Sequence, residues 1–121
     1  MAVCPIVAVT LNWNRAQDTL ACLRSLQAAG LPLDQAVVVD NGSTDDSAAV
    51  LRAACPEAHL LVNARNLGFS GGANPGLARA QEMGRPYILV LNNDTEVAPD
   101  SLGLLVAAAE AHPRAGILSP L

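Results

Sequence analysis

The chain has 121 residues, 51% hydrophobic but only 2% aromatic, so a single core must be built from Leu, Val and Ala around three rings, Trp13, Phe69 and Tyr87. All seven basic residues are Arg, and against eleven acids they leave a net charge of −4, which excludes the basic, ring-studded face that a nucleic-acid partner needs. The absence of Lys excludes a Lys nucleophile, a phosphate-loop Lys and a nucleotidyl-transfer Lys.

The scarcity of rings also weakens the case for a lectin-like module, and one domain suits one half of a two-part active site better than both halves. Cys4, Cys22 and Cys55 are odd in number, far apart and without a C-x-x-C pair. They read as small buried hydrophobes of a reducing compartment. The apolar N-terminus has no positive segment ahead of it and reads as a buried strand, not a signal peptide. No apolar run approaches the roughly 18–20 residues that span a bilayer. The expectation is a soluble, cytoplasmic chain, peripheral to a membrane at most in a longer protein.

Residues 3–11 are apolar on both alternating positions and predict a first strand covered on two faces. Asn14 with Gln17 three residues on has the spacing of a capping box; Leu20, Leu23 and Leu26 follow, and Gly30 and Pro32 stop the helix. The second strand is 36–40. Ser43 and Asp46 repeat the cap spacing and open a helix through Val50, Leu51 and Ala54, ended by Pro56. A short strand covers about 59–62.

Residues 63–72 read as a polar, glycine-bearing loop, after which Asn74-Pro75 suits a helix start, with the helix running to Gly84. Residues 87–91 are the fourth strand. Leu102, Leu105, Val106 and Ala109 mark a last helix ending near His112-Pro113, and Gly116-Ile117-Leu118 suits the beginning of a fifth strand. No repeat, linker or internal boundary divides residues 1–121. Strands alternating with helices predict an α/β fold: a Rossmann-like open parallel sheet with helices on both faces and right-handed crossovers.

In such a sheet ligands bind beyond the carboxyl ends of the strands. Those ends carry Asn12-Trp13-Asn14, Asp40-Asn41-Gly42-Ser43 and Asn92-Asn93-Asp94-Thr95, with the 66–72 loop beside them. Asp40 reads either as an Asx-turn or capping acid or as an acceptor for a base N–H or ribose hydroxyl. Asn92, Asn93 and Asp94 read either as a polar turn or as an oxygen-rich group suited to Mg²⁺ or Mn²⁺ shared with a diphosphate. The glycines at 68, 71 and 72 allow backbone N–H groups to approach a phosphate, although a mobile surface loop has the same composition.

Taken together, Asn12-Trp13-Asn14-Arg15, Val39-Asp40-Asn41-Gly42-Ser43-Thr44-Asp45, Asn66 to Leu77 and Leu91-Asn92-Asn93-Asp94-Thr95 closely resemble the family 2 glycosyltransferases, in order and spacing, over nearly the whole chain. The Asn-Leu-Gly-Phe and Leu-Asn-Asn-Asp-Thr forms are most similar to rhamnosyltransferase-type members. The resemblance implies a GT-A fold, here truncated, a nucleoside-diphospho-sugar donor carrying uridine or thymidine, a divalent metal and inversion at the anomeric carbon. It places Asp40 on the uracil or thymine ring, with Leu11, Asn12 and Asn14 in the same pocket, Gly72 near the donor phosphates, and Asn92 and Asn93 beside the donor. The family's D-x-D motif falls on Asn92-Asn93-Asp94, making Asp94 the metal ligand. The chain departs from the pattern at Asn92, which adds no charge, and at Ala73, where many relatives have a longer polar residue.

The resemblance also implies a general base, usually an acid well past the D-x-D segment, which is expected beyond Leu121 together with the acceptor floor. Two other classes share the alternating pattern. A receiver- or flavodoxin-like signalling domain is disfavoured because a receiver wants paired acids after the first strand and a Lys after the last, whereas this chain has Asn12, Asn14 and no Lys. The missing Lys also counts against a sugar nucleotidyltransferase. His59 and His112 read as surface or capping residues, and Trp13 fits core packing as well as exposure beside a nucleotide. Apolar faces left uncovered by an absent second half would favour a homodimer.

Overall fold

The computed structural model describes residues 4–120. Four parallel strands form one sheet in the order β3-β2-β1-β4, with β1 at Ile6–Asn12, β2 at Ala36–Asp40, β3 at His59–Val62 and β4 at Tyr87–Asn92. The helices are α1 at Ala16–Ala28, α2 at Ser47–Ala54, α3 at Gly68–Glu82 and α4 at Ser101–Ala111, and a single 3₁₀ turn at Leu33–Gln35 leads into β2. The registers align the carboxyl ends of three strands, pairing Asn12 with Asp40 and Leu11 with Asn92.

Because β1 and β2 are covered on both sides, their consecutive Val, Ile and Ala residues are almost all buried. One face carries Ile6, Ala8, Ala36 and Val38 against Leu20, Leu23 and Leu26 of α1, Leu51 of α2 and Leu102 of α4. The other carries Val7, Val9 and Val37 against Ala80 and Leu77 of α3. Thus α1 and α2 carry the chain outward from β1 to β3 on one face, and α3 carries it back on the other to β4 at the opposite flank of β1. Strand order therefore reverses between β1 and β4, which is where an open α/β sheet has its crevice.

Strands 36–40 and 59–62 fall where the sequence predicts them, and the fourth extends one residue further, to Asn92. The first begins at Ile6; Val3, where the expected strand starts, lies outside the described residues. Three helix starts differ from expectation. Asn14 does not cap α1: it has a left-handed backbone, φ 55°, and its side chain pins the neighbouring loop, so α1 begins after Arg15. Ser43 does not open α2, because its hydroxyl is spent on Asp40, and the helix begins at Ser47. Helix α3 begins at Gly68, well before Pro75, because the Asn66 side chain accepts the Gly68 N–H at 2.8 Å and folds the chain there. Pro75 then lies inside the helix and leaves the Gly71 carbonyl without its usual donor. Residues 113–120 form no strand, so the expected fifth strand at 116–118 is absent from the described residues. His112 closes α4 by placing Nδ1 2.9 Å from the Ala108 carbonyl oxygen.

Candidate functional site

An open cavity of about 450 Å³ lies over the carboxyl ends of β1 and β4. Leu11 and Asn92, register partners on adjacent strands, line it, with Asn93 and Asp94 on the turn that leaves β4. Trp13 and Arg15 come from the β1–α1 loop, and Asn41, Asn66, Gly68 and Phe69 from the opposite wall. Two of the chain's three rings line this cavity, and both are exposed, Trp13 at 47% and Phe69 at 58%. Exposure, not core packing, is the outcome for Trp13.

Below the cavity the parallel sheet brings the strand ends within hydrogen-bonding reach of one another. Asn12 donates from Nδ2 to Asp40 Oδ1 at 3.0 Å, and Asp40 also accepts the Ser43 hydroxyl at 2.5 Å and the Ser43 N–H at 3.2 Å. Asp40 is 1% exposed, and these bonds meet the obligation of a buried carboxylate to be fully partnered. Asn14 closes the two loops over this pair. Its Oδ1 accepts the Thr44 and Asp45 N–H groups, and its own N–H donates to the Ser43 hydroxyl at 2.9 Å.

The second wall is organised by Asn41, which is also buried. Its Nδ2 donates to Asn66 Oδ1 and the Gly68 carbonyl, and its Oδ1 accepts from Asn63 Nδ2 and the Leu67 N–H. Gly72 lies directly against this amide: a Cβ there would stand 2.6 Å from Asn41 Nδ2. The glycine-bearing segment is therefore held to the end of β2 by one side chain, and Gly72 is required by that close approach.

The sequence-derived residues divide accordingly. Leu11, Asn92, Asn93 and Asp94 line the cavity, whereas Asn12, Asn14, Asp40 and Gly72 lie in the hydrogen-bonded layer beneath and beside it. Sequence reasoning did not single out Asn41, Asn66 or Arg15 as site residues, nor the α1 residues Thr19, Cys22 and Ser25, which hold the 92–97 segment. Thr19 accepts from Asn93 Nδ2 at 3.1 Å, Cys22 Sγ is 4.0 Å from the Asn92 carbonyl oxygen, and Ser25 accepts the Val97 N–H at 3.0 Å. Their spacing of three along the helix was the available signal.

Charge at the site is sparse. Arg15 pairs through Nε with Asp18 at 2.6 Å, leaving its terminal nitrogens free to meet an anion in the cavity. Asp94 is the cavity's one carboxylate. Among the described residues no three His, Cys, Asp or Glu side chains come together to hold a metal. The donor set, one carboxylate with amide oxygens at an open wall, fits a hard divalent ion only when a ligand supplies further oxygens, as a diphosphate does. Burial, then the charges of Asp94 and Glu96, pushes the Cys22 thiol up to about 11.

The family model for glycosyl transferase family 2 matches residues 7–120. The chain is 34% identical over 127 residues to the N-acetylglucosaminyl-diphospho-decaprenol L-rhamnosyltransferase of Mycobacterium tuberculosis (strain ATCC 25618 / H37Rv), an alignment covering 98% of this chain and 41% of the relative. It is 32% identical over 107 residues to the succinoglycan biosynthesis protein ExoO of Rhizobium meliloti (strain 1021), covering 88% of this chain and 30% of that one. Among solved structures it resembles the mannosyltransferase PcManGT from Pyrobaculum calidifontis in complex with GDP-Man and Mn²⁺, with TM-score 0.71, 21% identity, and 87% and 32% of the two chains covered. It also resembles S. aureus TarS 1-349 in complex with UDP-GlcNAc, with TM-score 0.72, 20% identity, and 96% and 37% covered. The structural likenesses establish the fold, a GT-A sheet as expected from the motifs, and the chain spans less than half the length of these relatives. The rhamnosyltransferase-like resemblance of the motifs and the family match over residues 7–120 agree: this chain belongs to glycosyl transferase family 2.

Proposed function

We propose that the chain is the donor-binding part of an inverting glycosyltransferase, taking a UDP- or dTDP-linked sugar, with the general base and acceptor floor contributed by sequence beyond residue 121. The observation that carries this reading is the composition of the cavity at the strand-order reversal: two exposed rings, a guanidinium with free donors, and one carboxylate on the β4 turn. Rings give a base or sugar a flat apolar surface, and Arg15 meets phosphate oxygens. Asp94 would hold Mg²⁺ or Mn²⁺ against the diphosphate, where the ion supplies charge neutralisation for the leaving group. Leu11, Asn92 and Asn93 meet the donor at the wall. Asn12, Asn14 and Asp40 keep the floor in register, and a base N–H reaches the Asp40 carboxylate only when the Ser43 loop moves aside. Gly72 holds the glycine-bearing wall close to the phosphates. A relative that is an L-rhamnosyltransferase, and similar structures in complex with GDP-Man and Mn²⁺ or with UDP-GlcNAc, support a nucleotide-sugar donor.

Trp13 is the single tryptophan, so its fluorescence reports the cavity directly. Titration with UDP or dTDP in Mg²⁺ is expected to give a saturable change in Trp13 emission, and Asp40→Ala should abolish it. No saturable change at millimolar nucleotide would contradict the reading.

A further inference from the structure

Helix α1 faces the β4 turn with three small polar side chains, Thr19, Cys22 and Ser25, and each meets a different part of the segment that carries Asp94. Asn93 Nδ2 donates to Thr19 Oγ1 at 3.1 Å, the Cys22 thiol approaches the Asn92 carbonyl at 4.0 Å, and the Val97 N–H donates to Ser25 Oγ at 3.0 Å. Thr19 and Cys22 are 0% exposed, so neither touches a ligand.

Thr19 does more than receive Asn93. Its hydroxyl donates at 2.7 Å to Asn12 Oδ1, and Asn12 in turn donates at 3.0 Å to Asp40. Asn93, Thr19, Asn12 and Asp40 are therefore linked by three hydrogen bonds that all run in one direction and end on a carboxylate. In such a chain each donor polarises the next, so the links strengthen together and loosen together. These bonds run from the end of β4 to the end of β2, joining the Asp94 turn to the buried Asp40.

We infer that Thr19 is a positioning residue that couples the two ends of the site: it sets the Asn92-Asn93-Asp94 turn through Asn93 and the Asp40 carboxylate through Asn12, so that binding at one end depends on order at the other. This assignment deepens the donor-binding reading and rests on it for its effect on nucleotide. The hydrogen-bond chain itself does not. Valine matches threonine in shape but has no hydroxyl, so Thr19→Val cuts both links at once. Thr19→Ser keeps them. Outer partners of a metal-binding group typically change metal affinity by about 10–100-fold when removed.

Two measurements test the inference. In the first, UDP binding is measured with and without Mn²⁺. Thr19→Val is expected to lose about tenfold in the Mn²⁺-dependent part of the affinity and, through the Asp40 end, to weaken nucleotide binding in EDTA as well, and Thr19→Ser to restore both. Ser25→Ala, which removes the Val97 contact and the bond to the Cys22 carbonyl within α1 but neither link of Thr19, guards against misfolding of the valine variant and is expected to weaken the Mn²⁺-dependent part without affecting the Asp40 end. If the wild type shows the Mn²⁺ effect and Thr19→Val retains it within twofold, the inference is overturned. The second measurement needs no ligand. Amide resonances of residues 93–97 and of 40–43 are expected to shift together in Thr19→Val and return in Thr19→Ser, and a shift confined to one end would overturn the coupling. A wild type that binds no nucleotide but shows the paired shifts would contradict the donor-binding reading alone.

Discussion

Cys22 carries a hidden pH dependence. Burial, reinforced by Asp94 and Glu96, raises its thiol from the ordinary 9.0 to about 11 in the folded chain. The unfolded thiol ionises near 9 while the folded one keeps its proton, so this contribution to stability is intact below about pH 9 and is lost as the pH rises toward 11. Melting temperature should fall across that window, and the fall should be shallower in Cys22→Ala. Cys55 titrates in the same direction, its thiol pushed up chiefly by burial, so the double variant should be flatter still. Gly72 makes a steric prediction at the same scale. Gly72→Ala forces a Cβ to within 2.6 Å of the Asn41 amide, whose hydrogen bonds reach Asn63, Asn66, Leu67 and Gly68. A loss of about 1–3 kcal/mol in denaturant unfolding is expected, together with weaker nucleotide binding.

Among the elements, α3 lies closest to the sheet, because Gly76 brings its backbone down onto β1 and β2. A Cβ at that position would stand 2.7 Å from Val39 Cγ2 and 2.9 Å from Val9 Cγ1. Gly76→Ala should therefore cost about 1–3 kcal/mol, whereas Gly103→Ala in α4, with open space around it, should be neutral or stabilise by about 1 kcal/mol. Chemical denaturation of the two variants separates close packing from helix propensity. The same elements show what the sequence made legible. Short runs of β-branched residues such as Val37-Val38-Val39 favour a strand buried on both faces, and β2 lies where they place it. Helix starts were less legible, because Asn14 and Ser43 satisfy cap patterns locally yet spend their side chains elsewhere, and Asn66 starts α3 through a turn bond to Gly68 that no cap spacing marks. The cavity-lining Asp94 was legible as a polar group after an apolar strand. Asn41 and the Thr19, Cys22, Ser25 face were not, since their importance arises only when α1, α3 and the strand ends meet.

At the scale of the whole molecule, the sheet is unevenly covered. Helix α3 shields β1 and β2, but Ile88 and Val90 of β4 remain 38% and 47% exposed on the same face, and β4 is an edge strand. Leu104 of α4 is exposed at 63%. Apolar surface beside an open strand edge favours association, so the 121-residue chain should show a concentration-dependent dimer in analytical ultracentrifugation. Ile88→Thr with Val90→Thr should shift it toward monomer, and a wild type that stays monomeric at high concentration would count against the prediction. Among the described residues no helix is long and apolar enough to cross a membrane.

In the proposed function, the crevice between β1 and β4 takes a nucleoside diphosphate with a divalent ion held at Asp94. Calorimetric titration of UDP and dTDP, with and without Mn²⁺, into the wild-type chain and Asp94→Ala tests it most directly. Binding of at least one nucleotide that Mn²⁺ strengthens by roughly tenfold or more is expected in the wild type, and loss of the Mn²⁺ effect in Asp94→Ala. Equal affinity with and without Mn²⁺ in both proteins, or no binding at all, would contradict it.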